Sequence, residues 1–194
     1  MKNSTAIVLL VIAVIVFFGG CNTYNSLVDK DQSVKNSWAN VESAYQRRAD
    51  LIPNLVNTVK GYADFEKSTL TEVVNARAKA TSVNIDANSL TPESFQQFQE
   101  AQAGLSSALS RLLVTVEKYP DLKANQNFLE LQAQLEGTEN RIKVARDEFN
   151  EAVNSYNVKV KKFPNNLFAG VFGFKEKDYF KSDDGADKAP EVKF

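Results

Sequence analysis

Apolar positions recur at spacings of three and four along most of the chain. Val34, Trp38, Val41, Tyr45, Arg48, Ile52, Leu55, Val59 and Tyr62 hold one stripe on one helix face. This pattern predicts a first helical segment from Ser33 to Ala80. It ends before SVNIDANSLTPES, where Asn, Asp, Ser and Pro cluster and Thr91 and Pro92 supply an N-cap and a first turn. The second segment carries Phe95, Phe98, Gln102, Leu105, Leu109, Leu112, Val116 and Tyr119 and stops at Pro120. After the KYPDLKAN turn, the third carries Phe128, Leu131, Leu135, Thr138, Ile142, Ala145, Phe149, Ala152, Tyr156 and Val160 and ends before Pro164. No strand pattern competes, and the connections are short. The expected fold is all-α: an antiparallel bundle of three long helices behind an N-terminal membrane helix.

Pro53 lies inside the first stripe without breaking its phase. A proline in a helix interior removes the donor to the carbonyl four residues back, here Ala49, and costs roughly 3 kcal/mol unless something compensates. Either the helix is kinked there or a partner group fills the gap. At about 1.5 Å per residue the segments measure roughly 70, 40 and 55 Å, so the first exceeds its partners. It protrudes as a stalk, or it folds back near Pro53 and splits to give four helices. Phase continuity favours one helix bent at Pro53, although Gly61 and Glu66 loosen the pattern beyond it.

Ahead of the bundle, AIVLLVIAVIVFF (residues 6–18) is uncharged and apolar and follows Lys2. It reads as a transmembrane helix somewhat short of the roughly 20 residues that span a bilayer, extended towards the interface by Tyr24, Leu27 and Val28. The other reading is a signal peptide whose Gly19 and Gly20 precede Cys21, which makes Cys21 a candidate lipidation site. Phe18 departs from the aliphatic residue usual at such sites. Lys2 and the α-amino group are opposed by Lys30 and Lys35, and an extracytoplasmic domain is the orientation adopted. The expected organisation is a membrane anchor over 1–21, a juxtamembrane stalk over 22–32, a bundle domain over 33–180 and a flexible tail over 181–194.

Composition narrows the chemistry. The net charge is −1 over 194 residues, which removes the basic footprint of a nucleic-acid binder. The chain has no histidine and one cysteine. Zinc sites, Cys/His nucleophile pairs and Ser/His/Asp triads all need residues that are missing. No cofactor, catalytic residue or metal ligand is expected.

Four passages carry a family resemblance: YNSLV at 24–28, RRADLIPNLVNTVKGYA at 47–63, LSRLLVTVEKYPDLKANQNFLELQAQLEGTENRIKVAR at 109–146, and YNVKVKKFPNNLFAGVFGFKEKDYF at 156–180. The chain resembles the LemA family over nearly everything after the anchor. That resemblance implies an N-terminal membrane helix, a helical bundle and no assigned enzymatic activity. It also implies an N-terminus facing outside, opposite to the orientation adopted from charge. Where relatives commonly have a His-Glu pair after GYA, this chain has Phe65-Glu66, so a metal role for that histidine cannot apply here.

Arg48 sits on the apolar stripe, where an unpaired guanidinium is strongly penalised, so it should meet a carboxylate or free carbonyls on a neighbouring helix. The antiparallel third segment offers Glu136, Glu139, Asn140, Asp147 and Glu148, and Arg48 is expected to face the acidic stretch around Glu139. A functional reading instead makes Arg47, Arg48, Asp50 and Asn54 a partner-binding patch around Pro53. Glu136 and Glu139 with Arg141 could suggest acid/base work, but charged helix faces are usually just solvated. FPNNLFAGVFGF packs Phe163, Leu167, Phe168, Val171, Phe172 and Phe174 into a short stretch. Its expected role is packing across a bundle end, with protein docking or membrane contact as alternatives supported by Lys161, Lys162, Lys175 and Lys177.

The expected function is that of a membrane-anchored, non-enzymatic helical-bundle protein of the cell envelope, a protein-interaction or scaffold module. Its partners are the membrane, through the N-terminal anchor, and an unknown protein. Homo-oligomer formation is an open alternative, and nucleic acid is not expected. The competing classes are a carboxylate-based or metal-dependent enzyme and a lipoprotein that self-assembles as an envelope scaffold.

Overall fold

A computed structural model of the protein describes residues 2–62, 65–83, 85 and 90–180, apart from the side chains of residues 2–6, 9 and 12. Its helices are α1 (Lys2–Lys60), α2 (Lys67–Ser82), α3 (Pro92–Val116), α4 (Pro120–Lys123), α5 (Gln126–Lys161) and α6 (Asn165–Phe172). The described residues contain no strand. The described residues divide into two compact units, one of residues 31–148 and one of residues 2–30 with 149–180.

In the unit of residues 31–148, side-chain contacts fix the helix directions. Arg111 Nη2 meets Glu72 Oε1 at 2.6 Å and Gln102 Nε2 donates to Ala80 O at 3.4 Å, so α2 and α3 run antiparallel. Trp38 packs on Phe98 with ring centroids 5.2 Å apart, and further along Arg48 reaches Gln102 and Ser106, so α1 and α3 run parallel. Arg48 also meets Glu139, while Tyr62 Oη accepts from Asn125 Nδ2 at 3.1 Å, so α5 descends antiparallel to α1. The result is an up-and-down bundle of four helices, with α4 a single turn between α3 and α5.

The expected first segment is therefore two helices, and its break lies at residues 61–66 rather than at Pro53. α1 continues through Pro53, which is exposed. At Gly61 the helical preference falls. There Tyr62 N donates to Val59 O and Phe65 N to Tyr62 O, tightening the chain into successive turns. Phe65 is buried, its ring centroid 5.0 Å from that of Tyr119. Folding back also lets Leu70 and Val73 of α2 join Leu55, Val59, Leu105 and Leu112 in one core. Each such burial stabilises by about 1.5–3 kcal/mol, more than the helical turn that is given up. The start of α3 follows its sequence signals: Thr91 and Ser94 form a reciprocal capping box and Pro92 occupies the first turn.

In the other unit, α5 buries Phe149, Val153, Tyr156, Asn157 and Val160, and Ala152 is only half-buried. Phe149, Tyr156 and Val160 keep the expected line, while Val153 and Asn157 beside it are buried too, because a helix of 3.6 residues per turn does not keep a strict three-four repeat. α6 lies in the stretch that the sequence pattern left without an element. It ends at Gly173, whose φ of 77° supplies the left-handed cap, with Gly173 N donating to Gly170 O at 3.4 Å and Phe174 N to Ala169 O at 2.9 Å. The chain then lies along α5. Asn157 Oδ1 accepts from Lys177 N at 2.9 Å while its Nδ2 donates to Lys177 O at 2.8 Å. Asn150 repeats this exchange with Phe180, at 2.8 and 3.2 Å. Phe180 is buried against Phe149, with ring centroids 5.4 Å apart.

The anchor expected over 1–21 falls partly outside the described residues. Among those described, no helix is long and apolar enough to cross a membrane. The expected tail over 181–194 lies outside the described residues.

Candidate functional site

Arg48 is 1% exposed, and its guanidinium joins three helices directly. Nη1 donates to Glu139 Oε1 on α5 and to Ser106 Oγ on α3, both at 2.7 Å. Nη2 donates to Gln102 Oε1 at 2.7 Å and to Gln102 O at 3.4 Å. The Gln102 amide carries the network on to Ala80 O at the end of α2. The Arg48 guanidinium also lies over the Tyr45 ring, 5.0 Å from its centroid, and Arg48 Nε has no hydrogen-bond partner among the described residues. A planar five-donor group suits such a junction better than an ammonium would. Charge is neutralised from the rim, because the Glu139 side chain is 50% exposed. Gln102 belongs to the site although only its position pointed to it: it interrupts the apolar stripe of α3 as Arg48 interrupts that of α1.

One residue further on, Ala49 O lacks the donor that Pro53 cannot supply. Arg77 Nε of α2 donates to it at 2.8 Å. The sequence carried a signal for Arg77 that went unread: it stands at the three-four spacing of the buried Leu70, Val73 and Ala80, interrupting the stripe of α2 as Arg48 interrupts that of α1. The proline therefore opens an acceptor on α1 that a neighbouring helix occupies.

The remaining candidates separate. Arg47, Asn140 and Arg141 line an open groove of about 510 Å³ between α1 and α5, together with Asn40, Ser43 and Glu148. Arg47 and Arg141 are exposed and make no ion pair among the described residues. Asp50 accepts from Gln46 Nε2 at 2.7 Å on its own helix, and Glu136 accepts from Gln132 Nε2 at 3.1 Å on its own. Asn54 is exposed, and its carbonyl accepts from Thr58. Asp50, Pro53, Asn54 and Glu136 are thus not drawn into either the buried junction or the groove. Among the described residues no group of three or more Cys, Asp or Glu side chains could hold a metal ion. Cys21 is an exposed free thiol.

The profile of the LemA family matches residues 37–194. Similar proteins include magnetosome protein MamQ 2 of Paramagnetospirillum magneticum, 26% identical over 185 residues, which span 84% of this chain and 66% of that protein. MamQ of Magnetospirillum gryphiswaldense is 27% identical, over 81% of this chain and 64% of its own. Protein LemA of Metamycoplasma hominis is 25% identical, over 75% and 63%. The chain spans just under two thirds of the length of the relatives it matches. The matched region takes in the Arg48 junction, the Ala49–Arg77 contact and the groove, and on that match the chain belongs to the LemA family.

Proposed function

We propose that the protein is a membrane-attached, non-enzymatic interaction module of the cell envelope, whose α1–α5 groove receives an acidic segment of a protein partner. The observation that carries the reading is the division of labour between adjacent arginines. Arg48 is spent on holding the helices together, whereas Arg47, one residue earlier, stands with Arg141 and Asn140 in an open groove with its charge uncommitted. Two guanidiniums and an amide offer bidentate donors for carboxylates. Attachment is supported by the start of α1, where Ile7, Leu10, Ile15, Phe17 and Phe18 are each more than 60% exposed. A helix apolar all round is stable only in apolar surroundings.

A photo-crosslinking residue at Val144, which lines the groove, tests this in the full chain in its own membranes. A discrete protein adduct that disappears in Arg47→Glu with Arg141→Glu, at unchanged helicity and thermal midpoint, is the expected result. An adduct indifferent to that charge reversal, or no adduct, overturns the reading.

A further inference from the structure

The outer face of α6 is more exposed than a packing element should be. Phe163 is 77% exposed, Leu167 61% and Val171 81%, and Leu167 and Val171 stand four residues apart on one helix face. The opposite face is engaged with α1. Phe168 lies so close to Gly20 that a Cβ added there would come within 3.2 Å of its ring. Thr23 Oγ1 donates to Asn165 Oδ1 at 3.1 Å, and the Tyr24 and Phe172 rings meet edge to face at 5.1 Å. These contacts set α6 beside residues 20–24 of α1, about 3–9 Å along the helix axis from Phe18, where the exposed apolar run of α1 ends.

We propose that α6 is a second membrane contact, a short amphipathic helix whose Leu167 and Val171, with Phe163 just ahead of its start, enter the interfacial region of an anionic lipid surface beside the apolar start of α1. Its position continues that apolar surface, and its margins carry the complementary charge. Lys162 and Lys175 are exposed and make no ion pair among the described residues, whereas Lys161 is paired with Glu176 at 2.8 Å and Lys177 lies over the Tyr156 ring. Apolar side chains rimmed by lysines are what an interfacial helix presents to anionic headgroups. The paired aromatic layer beneath, Phe168, Phe172 and Tyr24, holds α6 at a fixed height on α1. The assignment rests on the membrane attachment proposed above and adds to it the place and polarity of a second contact.

The test uses the full chain carrying Cys21→Ser and Val171→Cys, labelled with an environment-sensitive fluorophore and mixed with phosphatidylcholine vesicles or mixed phosphatidylcholine–phosphatidylglycerol vesicles. Flotation reports attachment, and the label reports the α6 contact. A blue shift of the label and its quenching by lipid-borne quenchers, greater with phosphatidylglycerol, are expected. A second label at Leu167 should respond in the same way, with helicity by circular dichroism confirming that each labelled chain is folded. Flotation without shift or quenching at both positions overturns the α6 contact while leaving attachment intact. An equal response in both vesicles overturns the anionic surface, and failure to float overturns the attachment itself.

Discussion

Arg77 donates through Nε to the carbonyl of Ala49 at 2.8 Å, supplying from α2 the hydrogen bond that Pro53 removes from α1. The half-buried bond explains why α1 can carry an interior proline without ending there. Arg77→Ala should lower stability by about 1–2 kcal/mol, because Ala49 is buried and its carbonyl loses the donor. In a Pro53→Ala background the residue at 53 can donate to Ala49 itself. The cost of Arg77→Ala should then fall by about 1 kcal/mol, a coupling that denaturant titration of the four chains measures directly.

At Arg48 the two partners of the ion pair are unequally buried, so their removal should have unequal effects. Glu139→Leu leaves a guanidinium enclosed without its counter-charge and should cost about 3 kcal/mol. Arg48→Met leaves a carboxylate free to turn into solvent. Combined with Gln102→Leu, which removes the other buried polar group, it should come within about 1 kcal/mol of the parent chain. Chemical denaturation of both variants compares them, and equal losses would contradict the burial argument.

Asn150 and Asn157 hold the C-terminal segment through main-chain atoms, which hydrogen exchange can read. Asn157→Ala should lower the protection of the Lys177 amide by about tenfold or more, and Asn150→Ala that of the Phe180 amide. Each amide donates to the asparagine being removed.

Lys161 is held above the ordinary lysine pKa, first by its hydrogen bond to Glu176 and then by the charge of that carboxylate. A raised folded-state pKa means that the stabilisation is complete below the unfolded value and is lost as pH rises through the folded one. Glu176→Gln should bring the Lys161 value down in an NMR titration of its ammonium group. The change in thermal midpoint between the two chains should then be confined to pH below that range.

Gly20 and Thr23 flank Cys21 and contact Phe168 and Asn165. Cleavage before Cys21 would remove Gly20 from that contact. Intact-mass analysis of the chain extracted from membranes should therefore give the unprocessed mass. A diacylglycerol adduct on an N-terminal Cys21 would assign the anchor to lipid instead.

The helices were legible wherever burial is periodic. Every stripe position from Val34 to Val59 is buried, and so are those from Phe95 to Val116 in α3. Gln102 could be read as polar on an apolar line, and the pairing of Arg48 with an acidic helix follows from the cost of burying its charge. What the pattern could not reveal are features fixed by other parts of the chain. The break at 61–66 depends on which core Leu70 and Val73 can join, while the phase of the stripe merely fades there. Arg77 is polar on the apolar line of Leu70, Val73 and Ala80, but its acceptor is a main-chain carbonyl, which side-chain periodicity does not identify. Asn150 and Asn157 look like solvent-facing polar residues until the path of the returning segment is known. The apolar density around α6 was visible, but its division between an inner face on α1 and an exposed outer face required the three-dimensional contacts.

The asparagine pair makes the end of the fold a measuring device. Seven residues of helix separate Asn150 from Asn157, a rise of about 10.5 Å. Three residues of extended chain separate Lys177 from Phe180, a span of about 10 Å. The two lengths agree only because one chain is coiled and the other stretched, and the amides at both ends grip main-chain atoms. Asp178 is therefore free to vary in identity but not in number: deleting it leaves one asparagine unable to reach its partner. Along this edge the protein is tolerant of spelling and strict about length.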